Sequence, residues 1–319
     1  MPTGQWKINN GDFVRAVSGF RNWVTADGAP GYGEQGGFAA EPDRYHLYVS
    51  HACPWAHRTL IFRKLKGLED IISVSVVHPI MPDKSWHFAN ESAPYPGATE
   101  DHVNGAHYLS ENYLKAEPDF DGLVTVPVLW DKKTQTIVNN ESSEIIRMFN
   151  SAFNAYAKNP QLDLYPEALR EGIDAINQPI YDYVNNGVYR CGFATTQAAY
   201  EKAFDKLFAM LDELEQRLST QRYLAGEQIT EADWRLFTTL VRFDPVYVGH
   251  FKANRKRLID YPNLWSYTRE LYQVPGIAET VNMDHIKTHY YVSHTSINPT
   301  RVIPKGPELD FMQPGDRNI

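Results

Sequence analysis

The pattern of apolar and polar positions predicts a strand, a helix and a second strand within residues 44–79. Residues 44–50, RYHLYVS, alternate between the two kinds of position, which is typical of a strand. Residues 54–68, PWAHRTLIFRKLKGL, place apolar side chains three to four positions apart, which indicates a helix that ends at Gly67. Residues 70–79, DIISVSVVHP, are nearly all apolar or small, as in a buried parallel strand. Together they predict a βαβ unit.

The pattern extends this unit into a thioredoxin-like domain. Residues 107–117 predict a helix, residues 124–140 a β-hairpin with a polar turn, and residues 141–150 a further helix. The order βαβ, α, ββ, α is the thioredoxin arrangement. Residues 80–106 are Pro-rich and lack a helical period, and long loops of this kind are usually functional or disordered.

From about Pro160 the periodicity becomes helical. A long amphipathic helix is predicted first, and three further helical segments follow, each opened by Pro or by a polar cap. These segments are residues 198–218, 230–244, 262–273 and 275–281. Thr230 and Asp233 fit a capping pair. We therefore predict an all-α second half, with an irregular, Pro-rich tail from residue 289.

These patterns predict an α/β plus all-α fold in three parts. Residues 1–43 are rich in Gly and aromatic side chains and predict an irregular N-terminal arm that packs on the body. Residues 44–155 form the predicted thioredoxin-like domain. Residues 156–319 form the predicted all-helical domain with its C-terminal tail.

Composition and charge narrow the class of protein. The 319 residues are 43% hydrophobic and 22% charged, an ordinary globular composition. A net charge of -8 argues against a broad nucleic-acid face. Two Cys are too few for a disulfide framework, and no apolar run suits a signal peptide or a membrane span. We expect a cytoplasmic protein that binds neither nucleic acid nor membrane.

Cys53 is the first candidate for chemistry. It stands where the first strand passes into a helix, and the unpaired N–H groups of a helix N-terminus favour thiolate over thiol. Pro54 suits the first helical turn, and Arg58 adds positive charge nearby. Most cysteines outside disulfides are buried and inert, but this placement favours a nucleophile.

The site holds a single sulfur. A dithiol protein would carry a second Cys three residues after Cys53, where this chain has Ala56. Cys191 is 138 positions away and carries no motif, so we interpret it as structural. A lone thiolate that attacks sulfur must be released by an external thiol, and glutathione is the abundant cytosolic candidate.

Two further segments have the groups needed to bind glutathione. Pro127 follows Val126 just before a predicted strand, where a thioredoxin-like domain places a cis-Pro that leaves the preceding backbone open to a bound peptide. Glu141 and Ser142 stand at a predicted helix start, where a carboxylate, a hydroxyl and helix N–H groups can hold an amino-acid head group. Taken alone, this pair is better explained as an ordinary N-cap, and only the order of Cys53, Pro127 and Glu141–Ser142 favours a glutathione site.

The order of Cys53, Pro127 and Glu141–Ser142, followed by an all-helical half, resembles the glutathione transferases over most of the chain. Five segments resemble one class of that family, the Xi class or glutathionyl-hydroquinone reductases. They are CPWAHR (53–58), the long loop bearing Trp86, NNGVYRCGFA (185–194), RFDPVYVGHFKAN (242–254) and HYYVSHTSINP (289–299).

The resemblance implies a reaction and a set of residues. In the family, the Cys thiolate takes glutathione from a glutathionyl-hydroquinone as a mixed disulfide, and a second glutathione releases it as oxidised glutathione. Glutathione is thus a co-substrate, no metal is needed, and a homodimer is expected. The roles implied for this chain are a nucleophile, Cys53; a glutathione site, Val126, Pro127, Glu141 and Ser142; a covering ring, Trp86; and substrate-side tyrosines, Tyr189 and Tyr290.

Several assignments stay open at this point. Tyr291 adjoins Tyr290, so the two could exchange roles. Arg15, Arg21 and Trp23 on the arm could close the pocket. An omega-like thioltransferase or dehydroascorbate reductase would use the same Cys53 and fold, and a non-catalytic binding module would use the fold alone. The Trp86 loop and the tail at 289–299 argue against the first, and the intact Cys and glutathione segments argue against the second.

Overall fold

The protein is described by a computed structural model over residues 7–33, 36–82 and 85–317. The described chain divides into two compact units. The first unit contains residues 17–163 together with residues 280–289. The second contains residues 7–16, 164–279 and 290–317. The N-terminal arm therefore contributes residues to both units.

The first unit is built on a four-stranded mixed sheet. Its strands are β3 (Tyr45–Val49), β4 (Ile72–Val76), β5 (Val128–Asp131) and β6 (Thr136–Asn139), and a separate hairpin in the arm holds β1 (Lys7–Asn9) and β2 (Asp12–Val14). The sheet order is β4-β3-β5-β6, with β3 parallel to β4 and antiparallel to β5. Every residue of β3 is buried, as expected for a central strand.

Three helices accompany this sheet at the predicted places. They are α1 (Pro54–Leu65), α2 (Leu109–Ala116) and α3 (Ser142–Ser151). Pro54 occupies the first turn of α1, and Gly67 follows its end with a φ of 64°, a left-handed conformation that glycine adopts readily. Helices α1 and α3 pack on one another. The thioredoxin-like order is confirmed.

The second unit is helical. Its helices are α4 (Arg170–Pro179), α5 (Gly187–Gly192), α6 (Gln197–Arg217), α7 (Glu231–Leu240) and α8 (Pro262–Tyr272), with π-helical turns at Ile180–Asn185 and Phe243–Tyr247. The predicted capping pair opens α7: buried Asp233 accepts hydrogen bonds from Thr230 N at 2.7 Å and Thr230 Oγ1 at 3.0 Å. Among the described helices, none combines the length and apolar character needed to cross a bilayer.

Three segments differ from the sequence prediction. Residues 275–281 form only a 3₁₀ turn at Ala278–Thr280, because Gly276 takes a φ of 84°. The tail begins with a π-helical turn, His289–Ser293, which follows directly on helix α9 (Met283–Thr288). In the arm, Asn10 and Gly11 both have positive φ and join β1 to β2, so this part is a hairpin and not irregular chain.

Candidate active site

Cys53 is the N-cap residue of α1 and lies four residues beyond the end of β3. Its backbone N–H donates to Ser50 O at 3.2 Å, and its carbonyl accepts from His57 N at 3.0 Å. The residue is half-buried. This placement brings the sulfur to the amide-rich end of a helix, the environment that stabilises a thiolate.

The Val126–Pro127 peptide lies beside this sulfur. The bond is cis, as expected from its place before β5. The carbonyl oxygen of Val126 is 3.5 Å from Cys53 Sγ. The backbone of Val126 is therefore placed to pair with a peptide whose own sulfur meets Cys53.

Glu141 and Ser142 stand at the start of α3. Glu141 is the N-cap residue, and its carboxylate accepts hydrogen bonds from Ser143 N at 3.1 Å and from Ser18 Oγ at 3.0 Å. Burial acts to raise the pKa of this carboxyl, but these hydrogen bonds and the charge of Arg58 together hold it below its usual value. Glu141 is therefore an anion at neutral pH. It caps α3, and it can also attract an ammonium group.

Arg58 connects the two helices of the site. Its guanidinium lies over the ring of Trp55 at 4.5 Å and is 3.5 Å from Ser142 Oγ, to which it donates. It is buried. Arg58 therefore places a positive charge between the helix of Cys53 and the start of α3.

Trp86 lies in the loop that follows β4. The residue is only 7% exposed, and its indole stacks on the ring of His289, with centroids 4.7 Å apart and an interplanar angle of 25°. Its carbonyl accepts from Leu109 N at 2.9 Å. Trp86 is thus held by contacts within the first unit.

Tyr189 and Tyr290 meet in the second unit, although they are 101 positions apart. Their hydroxyl oxygens are 2.6 Å apart, and the Tyr247 hydroxyl is 3.1 Å from that of Tyr290. Burial raises the pKa of Tyr290 well above its usual value, and the neighbouring phenols add to the effect. Tyr290 is therefore a neutral phenol, able to donate a hydrogen bond.

The Tyr291 side chain forms a hydrogen bond with the backbone of the second unit. Its hydroxyl donates to the carbonyl of Pro245 at 3.2 Å, and its ring packs edge-on against His250 with centroids 4.8 Å apart. Of the two adjacent tyrosines, Tyr290 is the one whose hydroxyl lies with that of Tyr189.

The three arm residues contact different partners. Arg15 donates from Nε to Asn186 and lies 4.8 Å over the ring of Tyr189, within the second unit. In the first unit Arg21 pairs with Glu144, and Trp23 packs edge-on against Tyr32. Of these three residues, Arg15 contacts a candidate site residue, Tyr189.

Two family models match the chain. The model for "Glutathione S-transferase, N-terminal domain" matches residues 52–152, and the model for "Glutathione S-transferase, C-terminal domain" matches residues 197–270. The first match contains Cys53 and the start of α3. The second contains all of α6 and α7 and most of α8.

Individual proteins match nearly the whole chain. The glutathionyl-hydroquinone reductase YqjG of Escherichia coli (strain K12) is 58% identical over 98% of this chain and 94% of its own length. The glutathionyl-hydroquinone reductase PcpF of Sphingobium chlorophenolicum is 50% identical over 94% of this chain and 91% of its own. The crystal structure of the glutathione-S-transferase Xi from Phanerochaete chrysosporium matches with a TM-score of 0.91 at 55% identity, covering 97% of each chain. The chain belongs to the Xi-class glutathione transferases.

Three side chains of this Xi-class transferase were not singled out from its sequence. Tyr247 lies in the segment 242–254, but nothing in that segment distinguishes this tyrosine from the other aromatic residues as part of a site. Ser18 is in the arm, and its bond to Glu141 spans 123 positions. His289 adjoins Tyr290, and its stacking on Trp86 depends on a contact that no local pattern encodes.

The two cysteines of this transferase differ in environment. Cys191 is 2% exposed, and burial raises its pKa to about 12. It therefore stays a protonated thiol at neutral pH, because its raised pKa lies far above that range. This agrees with its interpretation as a structural residue.

We expect an alkylating reagent to separate the two cysteines. At pH 8, iodoacetamide should modify Cys53 at least about a hundredfold faster than Cys191, since alkylation requires an accessible thiolate. Peptide mass mapping over a time course measures both rates in one sample. Equal rates of modification would contradict the environments described for the two sulfurs.

Proposed function

We propose that this chain reduces glutathionyl-hydroquinones to hydroquinones with glutathione as co-substrate. The names of YqjG and PcpF support the reaction, since both are glutathionyl-hydroquinone reductases. The observation that carries the proposal is the position of Cys53 at the N-cap of α1, 3.5 Å from the carbonyl of Val126. A single nucleophilic sulfur beside a peptide-binding backbone suits chemistry in which glutathione supplies the second thiol.

The proposed first step forms a mixed disulfide. The Cys53 thiolate attacks the sulfur of the glutathionyl group, so a sulfur–sulfur bond forms and the carbon–sulfur bond to the ring breaks. The electron pair of that bond goes to the ring carbon, which gains a proton. Hydroquinone leaves, and glutathione remains attached to Cys53.

The second step restores the enzyme. A second glutathione, as its thiolate, attacks the glutathione sulfur of the mixed disulfide, and Cys53 departs as a thiolate. The products over both steps are one hydroquinone and one oxidised glutathione. The two electrons that reduce the substrate carbon come from the pair of glutathione sulfurs, so no other reductant is required.

Glutathione binding is assigned to residues of the first unit. The Val126 backbone, held by the Val126–Pro127 peptide, would pair with the cysteinyl part of glutathione. The Glu141 carboxylate would take the α-ammonium, and the Ser142 hydroxyl with the first N–H groups of α3 would take the α-carboxylate. Trp86 would cover the bound peptide.

The substrate side is assigned to the tyrosines of the second unit. The ring carbon must gain a proton as its bond to sulfur breaks, and the phenolic oxygens of the substrate need hydrogen-bond partners. Tyr189 and Tyr290 present two hydroxyls 2.6 Å apart, and a neutral phenol is a suitable donor at short range. This division of roles follows the proposed boundary between a glutathione-binding domain, 44–155, and a helical domain, 156–319.

An omega-like thioltransferase is the second candidate function. It would use Cys53 and the glutathione residues in the same way, but would not need the tyrosine cluster. The mutual approach of Tyr189, Tyr290 and Tyr247 favours the hydroquinone reductase, because a thiolate leaving group needs no proton on carbon. We also propose that the enzyme works in the cytoplasm as a homodimer, in keeping with its thiol chemistry and its class.

Replacing the proposed nucleophile tests the function itself. We expect Cys53→Ser to lower kcat for a glutathionyl-hydroquinone to less than about one-thousandth of wild type, since the covalent step is lost. Mass spectrometry should identify hydroquinone and oxidised glutathione as the wild-type products. Cys191→Ser is the matched control and should retain activity, with circular dichroism verifying the fold of both variants. Loss of activity in the control but not in Cys53→Ser would refute the assignment.

The tyrosines should distinguish the two candidate functions. We expect Tyr189→Phe and Tyr290→Phe each to lower kcat on a glutathionyl-hydroquinone by about 10²- to 10⁴-fold, the usual contribution of a general acid. Their effect on a small glutathione mixed disulfide should be several-fold at most. The double variant should be non-additive if both hydroxyls serve one oxygen.

Tyr291→Phe is the control for this pair, since it removes a neighbouring hydroxyl that bonds to Pro245. It should leave the ratio of the two activities unchanged. Equal losses on both substrates in the Tyr189 and Tyr290 variants would place these residues in glutathione binding or folding, and would favour the thioltransferase.

A further inference from the structure

The short helix α9 and the turn after it hold the loop that carries Trp86. Four hydrogen-bond contacts between described residues join them within the first unit. They are His289 Nδ1 to Pro79 O at 2.9 Å, His285 Nε2 to Pro96 O at 2.7 Å, Tyr95 OH to Asp284 Oδ2 at 2.7 Å and Tyr95 OH to Thr288 Oγ1 at 3.0 Å. The described parts of the loop on both sides of Trp86, at Pro79 and at Tyr95–Pro96, are thus held by side chains far away in sequence.

His289 makes the contact nearest to Trp86. A carbonyl oxygen can only accept, so Nδ1 of His289 carries the proton and donates to Pro79. This hydrogen bond sets the orientation of the imidazole ring. The ring in turn stacks on the indole of Trp86 at 4.7 Å and 25°, which is within the range of favourable aromatic pairs.

We propose that His289 is a positioning residue: by stacking on Trp86 it orients the indole and so sets the affinity of the site for glutathione. The proposal rests on the proposed function, because the role of Trp86 at glutathione belongs to it. His289 touches neither substrate nor the reacting sulfur in this account. His289 affects the affinity for glutathione through its aromatic contact with Trp86.

The state of the His289 ring suits this role. Burial lowers its pKa to about 4, so the ring is uncharged at neutral pH. An uncharged, hydrogen-bonded and buried ring has one fixed orientation. It can therefore act as a rigid surface against which Trp86 is held.

Removing the ring should weaken glutathione binding and move Trp86. We expect His289→Ala to raise KM for glutathione about three- to tenfold, the size of one aromatic pair, with kcat at saturating glutathione changed less than about threefold. His289→Phe keeps an aromatic ring against Trp86 and should restore most of the affinity. Tyr95→Phe loses hydrogen bonds from the same loop without touching Trp86, and should change KM less than about twofold.

A spectroscopic readout separates positioning from general loosening. The full chain is labelled with 5-fluorotryptophan, and Trp86→Phe assigns the ¹⁹F resonance of Trp86. In the absence of ligand, His289→Ala should shift or broaden that resonance, whereas Tyr95→Phe should leave it in place. Titration with glutathione alone then gives the dissociation constant without any hydroquinone.

Three results would overturn the proposal: an unmoved Trp86 resonance in His289→Ala, an unchanged affinity for glutathione, or an equal loss of affinity in Tyr95→Phe. Because Tyr290 follows His289 directly, KM for the hydroquinone substrate is measured as well. If His289→Ala weakened the binding of the hydroquinone substrate alone, this would also contradict the proposal that His289 acts through Trp86. A wild-type enzyme that lacks reductase activity would refute the proposed function instead, and the glutathione titration would still test the positioning.

Discussion

The site depends on one junction, the point where strand β3 ends and helix α1 begins. The buried strand fixes the start of the turn, and Pro54 fixes the first turn of the helix. Between them Cys53 is held as the N-cap residue, with the carbonyl of Val126 beside its sulfur. A shift of one residue in this junction would rotate the sulfur away from that backbone. The glutathione residues have their proposed roles only because this geometry places a single sulfur beside a peptide-binding backbone.

A site with a single Cys requires that the rest of the protein bind the second thiol. Since Ala56 occupies the place of a second Cys, the resolving thiol has to come from glutathione, and glutathione must be bound in a defined orientation. In the proposed site, charge and stacking would orient glutathione in different ways. Glu141 is kept anionic by hydrogen bonds that outweigh its burial, and Trp86 is held by the ring of His289. The phenols of the second unit are proposed to have a separate task, the supply of protons and hydrogen bonds to an aromatic leaving group.

Local patterns predicted the elements that carry the glutathione residues, because strands and helices of this kind are encoded by neighbouring positions. The β3–α1 junction and the cap of α3 follow from short-range signals, whereas the cis position before β5 was expected from the place of Pro127 in a thioredoxin-like domain. The tyrosine cluster does not, since Tyr189 and Tyr290 meet only through packing across 101 positions, and neither spacing nor composition separates them from 17 other tyrosines. The π-helical turn at 289–293 was predicted as irregular chain because the tail that begins there is rich in Pro. The six-residue helix before it was not predicted. The resemblance to a family supplied what these local patterns lacked.

Trapping the intermediate tests the central claim most directly. The wild-type enzyme is mixed with one equivalent of a glutathionyl-hydroquinone and no added glutathione, quenched in acid, and analysed by intact-protein and peptide mass spectrometry. The account predicts one glutathione joined through a disulfide to Cys53, together with one released hydroquinone per modified chain. Hydroquinone released without an adduct, or an adduct on Cys191, would contradict it.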